Sequence, residues 1–124
     1  MYLIDTHILL WSLYDSSLLS ENTKKVLEEE ECYVSIASLW EMSIKSSIGK
    51  LKLKQSIQEI ADTCRKYGIQ ILNISPKHCD QMMELPLIHR DPFDRIIISQ
   101  AKVERCTIIT KDQFIPQYDV RTLW

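Results

Sequence analysis

Short apolar runs, separated by stretches with helix signals at their ends, set the strongest limit on how this chain can fold. "MYLI" (1–4), "CYVSI" (32–36), "IQILNI" (69–74) and "CTIIT" (106–110) are brief and rich in β-branched and aromatic residues. Each reads as a strand. Between them, "THILLWSLY" (6–14) reads as a short helix that is apolar nearly all round, and "SENTKKVLEEE" (20–30) as a helix starting near Ser20 or Glu21. "SLWEMSIKSS" (38–47) is a helix closed by Gly49, and "SIQEIADTCRKYG" (56–68) opens on a Ser56/Glu59 capping box and ends at Gly68. "SPKHCDQMMEL" (75–85) has Ser75 as N-cap and Pro76 in its first turn, "DPFDRIIISQAKVE" (91–104) is a further helix, and a last short strand falls near "YDVRTL" (118–123). The alternation predicts an α/β domain in three layers, with a central, mainly parallel sheet of about five short strands and right-handed crossovers. In such sheets, sites lie beyond the carboxyl ends of the strands, where the strand order reverses.

The acids fall where that rule directs attention. Asp5 follows the first strand at once ("YLIDTH") and Asp112 follows the "TIIT" strand at once. Glu41 sits about one turn into the helix after the second strand, and Asp94 lies in the first turn of the helix that feeds "TIIT". A helix packed antiparallel to the strand it feeds begins at that strand's carboxyl edge, so four acids from four segments can meet at one edge of the sheet. Taken singly, each has a simpler use: Asp5 as a helix cap, Glu41 as the i, i+4 partner of Lys45, Asp112 as a turn residue. Taken together they would repel, and the physical expectation is a hard divalent cation with oxygen ligands. With few histidines and no cysteine pair in the chain, Mg²⁺ or Mn²⁺ suits these acids better than zinc.

Composition narrows the classes. A chain of 124 residues is long enough for one domain, residues 1–124, with its own core. Its apolar stretches fall short of a membrane span, and a strand beginning at residue 2 leaves no room for a signal peptide, so the expected location is cytoplasmic. Cys32, Cys64, Cys79 and Cys106 are widely spread and read as reduced small hydrophobes. Two glycines in the whole chain exclude a phosphate-cradling glycine-rich loop. The formal charge is −2, and setting Asp5, Glu41, Asp94 and Asp112 aside turns it to +2. Between Glu41 and Glu59 there is no acid, while Lys45, Lys50, Lys52 and Lys54 fall in that window; Arg90 and Arg95 flank the acids of "HRDPFDR". These cations are candidates for a phosphate-backbone partner.

Four segments in order, "LIDTHILLW", "VSIASLWEMSIKSSIGKLKL", "LPLIHRDPFDRIIISQA" and "TIITKDQF", carry a resemblance over the whole chain. The sequence resembles PIN-domain ribonucleases, and more closely the VapC-type toxins of bacterial toxin–antitoxin pairs. The resemblance implies a parallel α/β sheet, an acidic pocket holding Mg²⁺ or Mn²⁺, and metal-dependent cleavage of RNA. Residue by residue, the family's acids correspond to Asp5, Glu41, Asp94 and the less constant Asp112, and Thr6 to the small hydroxyl residue after the first acid. It also implies a cognate antitoxin, and the apolar "HILLWSLY" adds the expectation of a homodimer. A non-catalytic PIN-like module that binds RNA or protein is the alternative. A haloacid-dehalogenase-like phosphatase would need a second Asp where His7 stands, and a receiver domain would need a phosphorylatable Asp in "LNISPK".

"HRDPFDR" is fuller than the family pattern, leaving His89, Arg90, Asp91 and Arg95 without assigned roles. Asp91 precedes Pro92, which disfavours helical backbone at Asp91 and suits an N-cap; Asp94, one turn inside, is the residue expected to face the metal.

Overall fold

The computed structural model describes residues 1–124. Five strands, β1 (Tyr2–Ile4), β2 (Cys32–Ser35), β3 (Ile69–Leu72), β4 (Thr107–Ile109) and β5 (Thr122–Leu123), form one parallel sheet in the order β3-β2-β1-β4-β5. Six helices connect them: α1 (Thr6–Tyr14), α2 (Glu21–Glu29), α3 (Ile36–Ser47), α4 (Ile57–Lys66), α5 (Pro76–Met83) and α6 (Pro92–Glu104). Two single 3₁₀ turns, Ser16–Leu18 and Ile115–Gln117, complete the chain. The α/β/α architecture expected from the alternation is the one observed.

The period-two geometry of the strands divides the core. Ile4, Val34, Ile69 and Ile109 face one cluster with Ile8, Leu9, Leu39, Met42, Ile60 and Cys64; Leu3 and Ile108 face the other with Ile97, Ile98, Ala101 and Ile115. Every strand residue in these two sets is buried, which is why the runs read as continuously apolar rather than alternating. Cys32, Cys64 and Cys106 are buried free thiols, and burial pushes that of Cys32 up to about 11, so these are packing residues as expected. α1 is apolar all round because it is wedged in: Ile8 and Leu9 are buried, Leu10, Trp11 and Leu13 pack against the same cluster, and Trp11 meets Trp124 edge-on at 5.8 Å.

Local signals set most boundaries. Gly49 and Gly68 follow the ends of α3 and α4 with φ of +75° and +82°, a conformation that side chains strain to adopt. The start of α3 differs from the sequence reading. It lies at Ile36 rather than Ser38, because the Ser35 hydroxyl accepts the Ala37 N–H at 3.0 Å and so turns the chain straight from strand into helix. β3 likewise stops at Leu72, two residues early. No helix is long and apolar enough to cross a membrane.

The strand order places β2 and β3 on one side of β1 and β4 and β5 on the other. The order therefore reverses between β1 and β4, and their carboxyl ends open a crevice lined by Asp5 and Asp112.

Candidate active site

Asp5 leaves β1 and caps α1: one carboxylate oxygen accepts the Ile8 N–H at 2.9 Å, the other the Thr110 hydroxyl at 2.5 Å. Thr110 follows β4, so this bond ties together the two strand ends that flank the crevice. Burial raises the Asp5 carboxyl above its ordinary range, and the charge of Asp112 adds to the rise. The bonds from Thr110 and Ile8 and the neighbouring His7 oppose it.

Thr6, the first residue of α1, donates its hydroxyl to Glu41 Oε1 at 2.7 Å and lies 3.0 Å from Ser38 Oγ. Glu41 is buried on α3, where Lys45 Nζ reaches its other oxygen at 2.6 Å. The i, i+4 pair anticipated as the simple use of Glu41 is thus present, and it lies at the edge of the crevice.

Asp91 is the helix cap that the residue pattern suggested. Asp91 has extended backbone, and its Oδ1 accepts the N–H groups of Phe93 (2.9 Å) and Asp94 (3.2 Å), with Pro92 opening the helix. Asp94 makes no cap bond. Its Oδ2 meets His89 Nε2 at 3.0 Å. Burial, with the charges of Asp91 and Asp112, pushes its carboxyl up to about 6 against the bond from His89. Asp91→Ala is expected to cost about 1 kcal/mol of stability, read by urea unfolding, and to leave substantially intact any activity that depends on Asp94. A dead but fully stable Asp91→Ala protein would reverse the assignment of the two acids.

Asp112 uses Oδ2 to accept the N–H groups of Phe114 (2.7 Å) and Ile115 (2.9 Å), and its own N–H donates to Thr110 Oγ1 at 2.9 Å. It is a turn residue, yet its charge acts on both Asp5 and Asp94. A shallow pocket of about 260 Å³ lies here, lined by Asp5, His7, Trp11, Lys111 and Asp112.

The four acids therefore share one edge of the sheet without closing on one point. No three His, Cys, Asp or Glu side chains lie close enough together to hold a metal ion. Their chemistry still suits one. All are hard oxygen donors, two are raised by burial and mutual repulsion, and no hydrogen bond reaches the second oxygens of Asp94 and Asp112. Mg²⁺ keeps several of its waters when bound, so it can be held by one or two direct carboxylates with the others a water away.

The expected backbone-binding cations separate. Lys50 and Lys52 are exposed in the loop after α3, and with Lys54 they alternate with Leu51 and Leu53, which pack on the core and turn the lysines outward together. Arg90 is exposed. Arg95 is turned inward, donating to the Pro86 carbonyl at 2.8 Å and the Tyr118 hydroxyl at 3.1 Å, and Lys45 is held by Glu41. The sequence reading missed Thr110 and Tyr118, which act 105 and 29 residues from their partners, a separation that no local pattern reports. It also missed Trp40, 60% exposed beside Glu41 and set edge-on to Phe93 at 5.5 Å. The largest groove, about 600 Å³, lies away from the acids between α1, α2 and α4, with Leu9, Leu13, Leu27 and Tyr67 among its lining residues.

The parallel sheet with its order reversal between β1 and β4 is an architecture that comparison assigns to a family. The family model described as PIN domain matches residues 2–120. The chain belongs to the PIN-domain family. Among solved structures it is similar to VapBC2 from Rickettsia felis bound to a DNA fragment from their promoter (TM-score 0.75, 18% identity, 98% of this chain and 96% of that chain). It is also similar to FitAcB from Neisseria gonorrhoeae (TM-score 0.69, 16% identity, 100% and 97%). A third is a toxin–antitoxin complex from Klebsiella pneumoniae (TM-score 0.60, 21% identity, 90% and 87%). No curated protein matches the chain at a significant level.

Proposed function

We propose that this chain, as a single PIN domain over residues 1–124, is a metal-dependent ribonuclease and the VapC-type toxin of a toxin–antitoxin pair. The observation that carries the reading is the placement of the acids. Asp5 is tied to Thr110 across the ends of β1 and β4, and Glu41 is tied to the neighbouring Thr6. Asp94 and Asp112 each keep one carboxylate oxygen free of hydrogen bonds, with the charge of Asp112 acting on both Asp5 and Asp94. Asp5, Glu41, Asp94 and Asp112 would hold Mg²⁺ or Mn²⁺, which when bound supplies a Lewis acid and a water of lowered pKa for in-line attack on a phosphodiester. The protein's own part is to hold these groups in place. Thr6 fixes Glu41, Thr110 fixes Asp5, and the backbone amides of Phe114 and Ile115 fix Asp112. Lys45 would release Glu41 as the ion enters and become available to a flanking phosphate. The exposed Lys50, Lys52 and Arg90 would hold the RNA strand on either side.

Cleavage of RNA by purified protein with Mn²⁺, abolished by chelator and by Asp5→Asn, tests the reading. The Lys45–Glu41 bridge and the spacing of the acids favour one other reading, a PIN-like module that binds RNA or protein without cutting it. Binding that persists with no cleavage at any Mn²⁺ concentration selects that alternative. Replacing Lys50 and Lys52 with Gln is expected to weaken RNA binding and to flatten its salt dependence, each lost phosphate contact reducing the slope by about 0.7 for a single strand. An unchanged slope returns these lysines to a solvated face.

One similar structure, from Klebsiella pneumoniae, is a toxin–antitoxin complex, which supports an antitoxin partner here. Its apolar segment would cover the groove beside α1. A cytoplasmic homodimer is part of the same reading. Light scattering at tens of micromolar, roughly where a modest interface saturates, tests it, and a stable monomer there removes the dimer.

A further inference from the structure

His89 stands at the centre of an arrangement that neither the acid pattern nor the family resemblance assigns. Its ring is stacked on Phe114 (centroids 5.1 Å apart, planes 13° apart) and set edge-on to Tyr118. Nε2 faces Asp94 Oδ2 at 3.0 Å and Nδ1 faces the Tyr118 hydroxyl at 2.8 Å. The ring's two nitrogens differ by a single proton, and which one carries it decides what Asp94 meets.

The donors around Tyr118 settle that question by counting. A phenolic oxygen has two lone pairs and one proton. Here the oxygen accepts the backbone N–H of His89 at 3.2 Å and Arg95 Nη1 at 3.1 Å. An arginine can only donate, and so can a backbone N–H. Both lone pairs are taken, and the phenolic proton is left to donate. Its nearest acceptor is His89 Nδ1 at 2.8 Å; the other, the His89 carbonyl, is at 3.4 Å. Nδ1 therefore accepts, and the ring's proton lies on Nε2, aimed at Asp94 Oδ2.

We infer that Arg95, Tyr118 and His89 form a directional hydrogen-bond relay that fixes the Nε2–H tautomer of His89 and thereby holds Asp94 by Oδ2, leaving Oδ1 for a metal ion. This gives Arg95 a role as the anchor of the relay, with its guanidinium also held by the Pro86 carbonyl. It links the acids as well. Asp112 caps the turn that carries Phe114, and Phe114 covers the ring that holds Asp94. His89, Tyr118 and Arg95 are positioning residues, each acting on the ion only through Asp94. The inference rests on the reading of Asp94 as a metal ligand, which the experiment checks separately.

The test has two arms on the full chain. In metal-free protein, long-range proton–nitrogen correlation of the histidine rings, with the His89 signals identified by their loss in His89→Gln, is expected to show the Nε2–H tautomer. Tyr118→Phe is expected to abolish that fixed signature while the protein stays folded. A His89 ring protonated on Nδ1, or a signature unmoved by Tyr118→Phe, overturns the relay. In the second arm, calorimetric titration with Mn²⁺ is expected to show affinity falling on the order of tenfold in His89→Ala, as for loss of a partner that orients a ligand. His89→Gln, which keeps an N–H donor near the Nε2 position, is expected to recover most of it. Equal losses in both variants would make His89 a packing residue and overturn the positioning role. Asp94→Asn serves as the control: Mn²⁺ binding unchanged there removes the reading of Asp94 itself, whatever tautomer the ring shows.

Discussion

Asp94→Asn is expected to lower Mn²⁺-dependent RNA cleavage by about a thousandfold or more, the loss of several kcal/mol of charge stabilisation, while making the metal-free protein more stable. The second half follows from the charge the fold has gathered. Burial, aided by Asp91 and Asp112, holds the Asp94 carboxyl at about 6, with only His89 opposing. In the unfolded chain the same group titrates near its ordinary value of about 3.9. The folded state thus binds this proton more tightly. Metal-free protein should gain stability as pH falls from 7 through 6, with the gain complete near pH 4. The change should be on the order of 1–2 kcal/mol once partial solvent access is allowed for. Asn carries no charge at any pH, so the variant should hold that gain at pH 7 and melt about 3–6 °C higher. Asp5, whose carboxyl is also raised, contributes in the same direction in both proteins, so the difference between their pH profiles isolates Asp94. Urea unfolding of both proteins from pH 4 to pH 8 measures it. Equal profiles would mean that Asp94 is not under strain, and retained cleavage would remove it from the site.

Thr6→Val is expected to act in the opposite sense, destabilising the fold by about 1–3 kcal/mol at nearly constant side-chain volume. The hydroxyl is the buried donor to Glu41 Oε1, and it also stands beside Ser38, which is wholly buried. Removing it leaves a buried carboxylate oxygen short of a donor, with Lys45 serving only the other oxygen. The cost is that of an unmet polar atom rather than of lost packing. Thr6→Ser keeps the hydroxyl and is expected to restore most of the stability, with a small deficit from the missing methyl group. Cleavage should fall in Thr6→Val and return in Thr6→Ser, since the bond also fixes where Glu41 lies. A valine variant as stable and as active as the parent would show that Glu41 is held by Lys45 alone.

The two substitutions sort what could be read locally from what could not. Asp91 as a cap was legible because capping is decided within four residues: Pro92 disfavours helical backbone at Asp91, and the N–H groups it serves belong to Phe93 and Asp94. Gly49 and Gly68 as helix ends, and the Ser56/Glu59 capping box, were legible for the same reason. The α3 start was misplaced because Ser35 and Ser38 are equally good caps in isolation; the end of β2's pairing with β3 at Ser35 decided between them.

The position of the acids was half legible. That Asp5 and Asp112 lie just past strand ends was written in the apolar runs before them, and a parallel alternating fold places strand ends together. The alternation, the caps, the three-layer class and the four candidate acids are determined by the sequence alone, because each depends on contacts a few residues apart or on a periodicity repeated along the chain. What each acid touches was decided by tertiary structure. Thr110 on Asp5, Lys45 on Glu41 in place of a phosphate, Arg95 on Tyr118 in place of RNA, and His89 on Asp94 all follow from how strands and helices pack side by side. Hydrogen-bond partners are chosen by direction and distance to within a few tenths of an ångström, and the chain order of residues 89, 94, 95 and 118 contains no such information until β4 lies beside β1 and the turn after it carries Phe114 and Tyr118 over the mouth of α6.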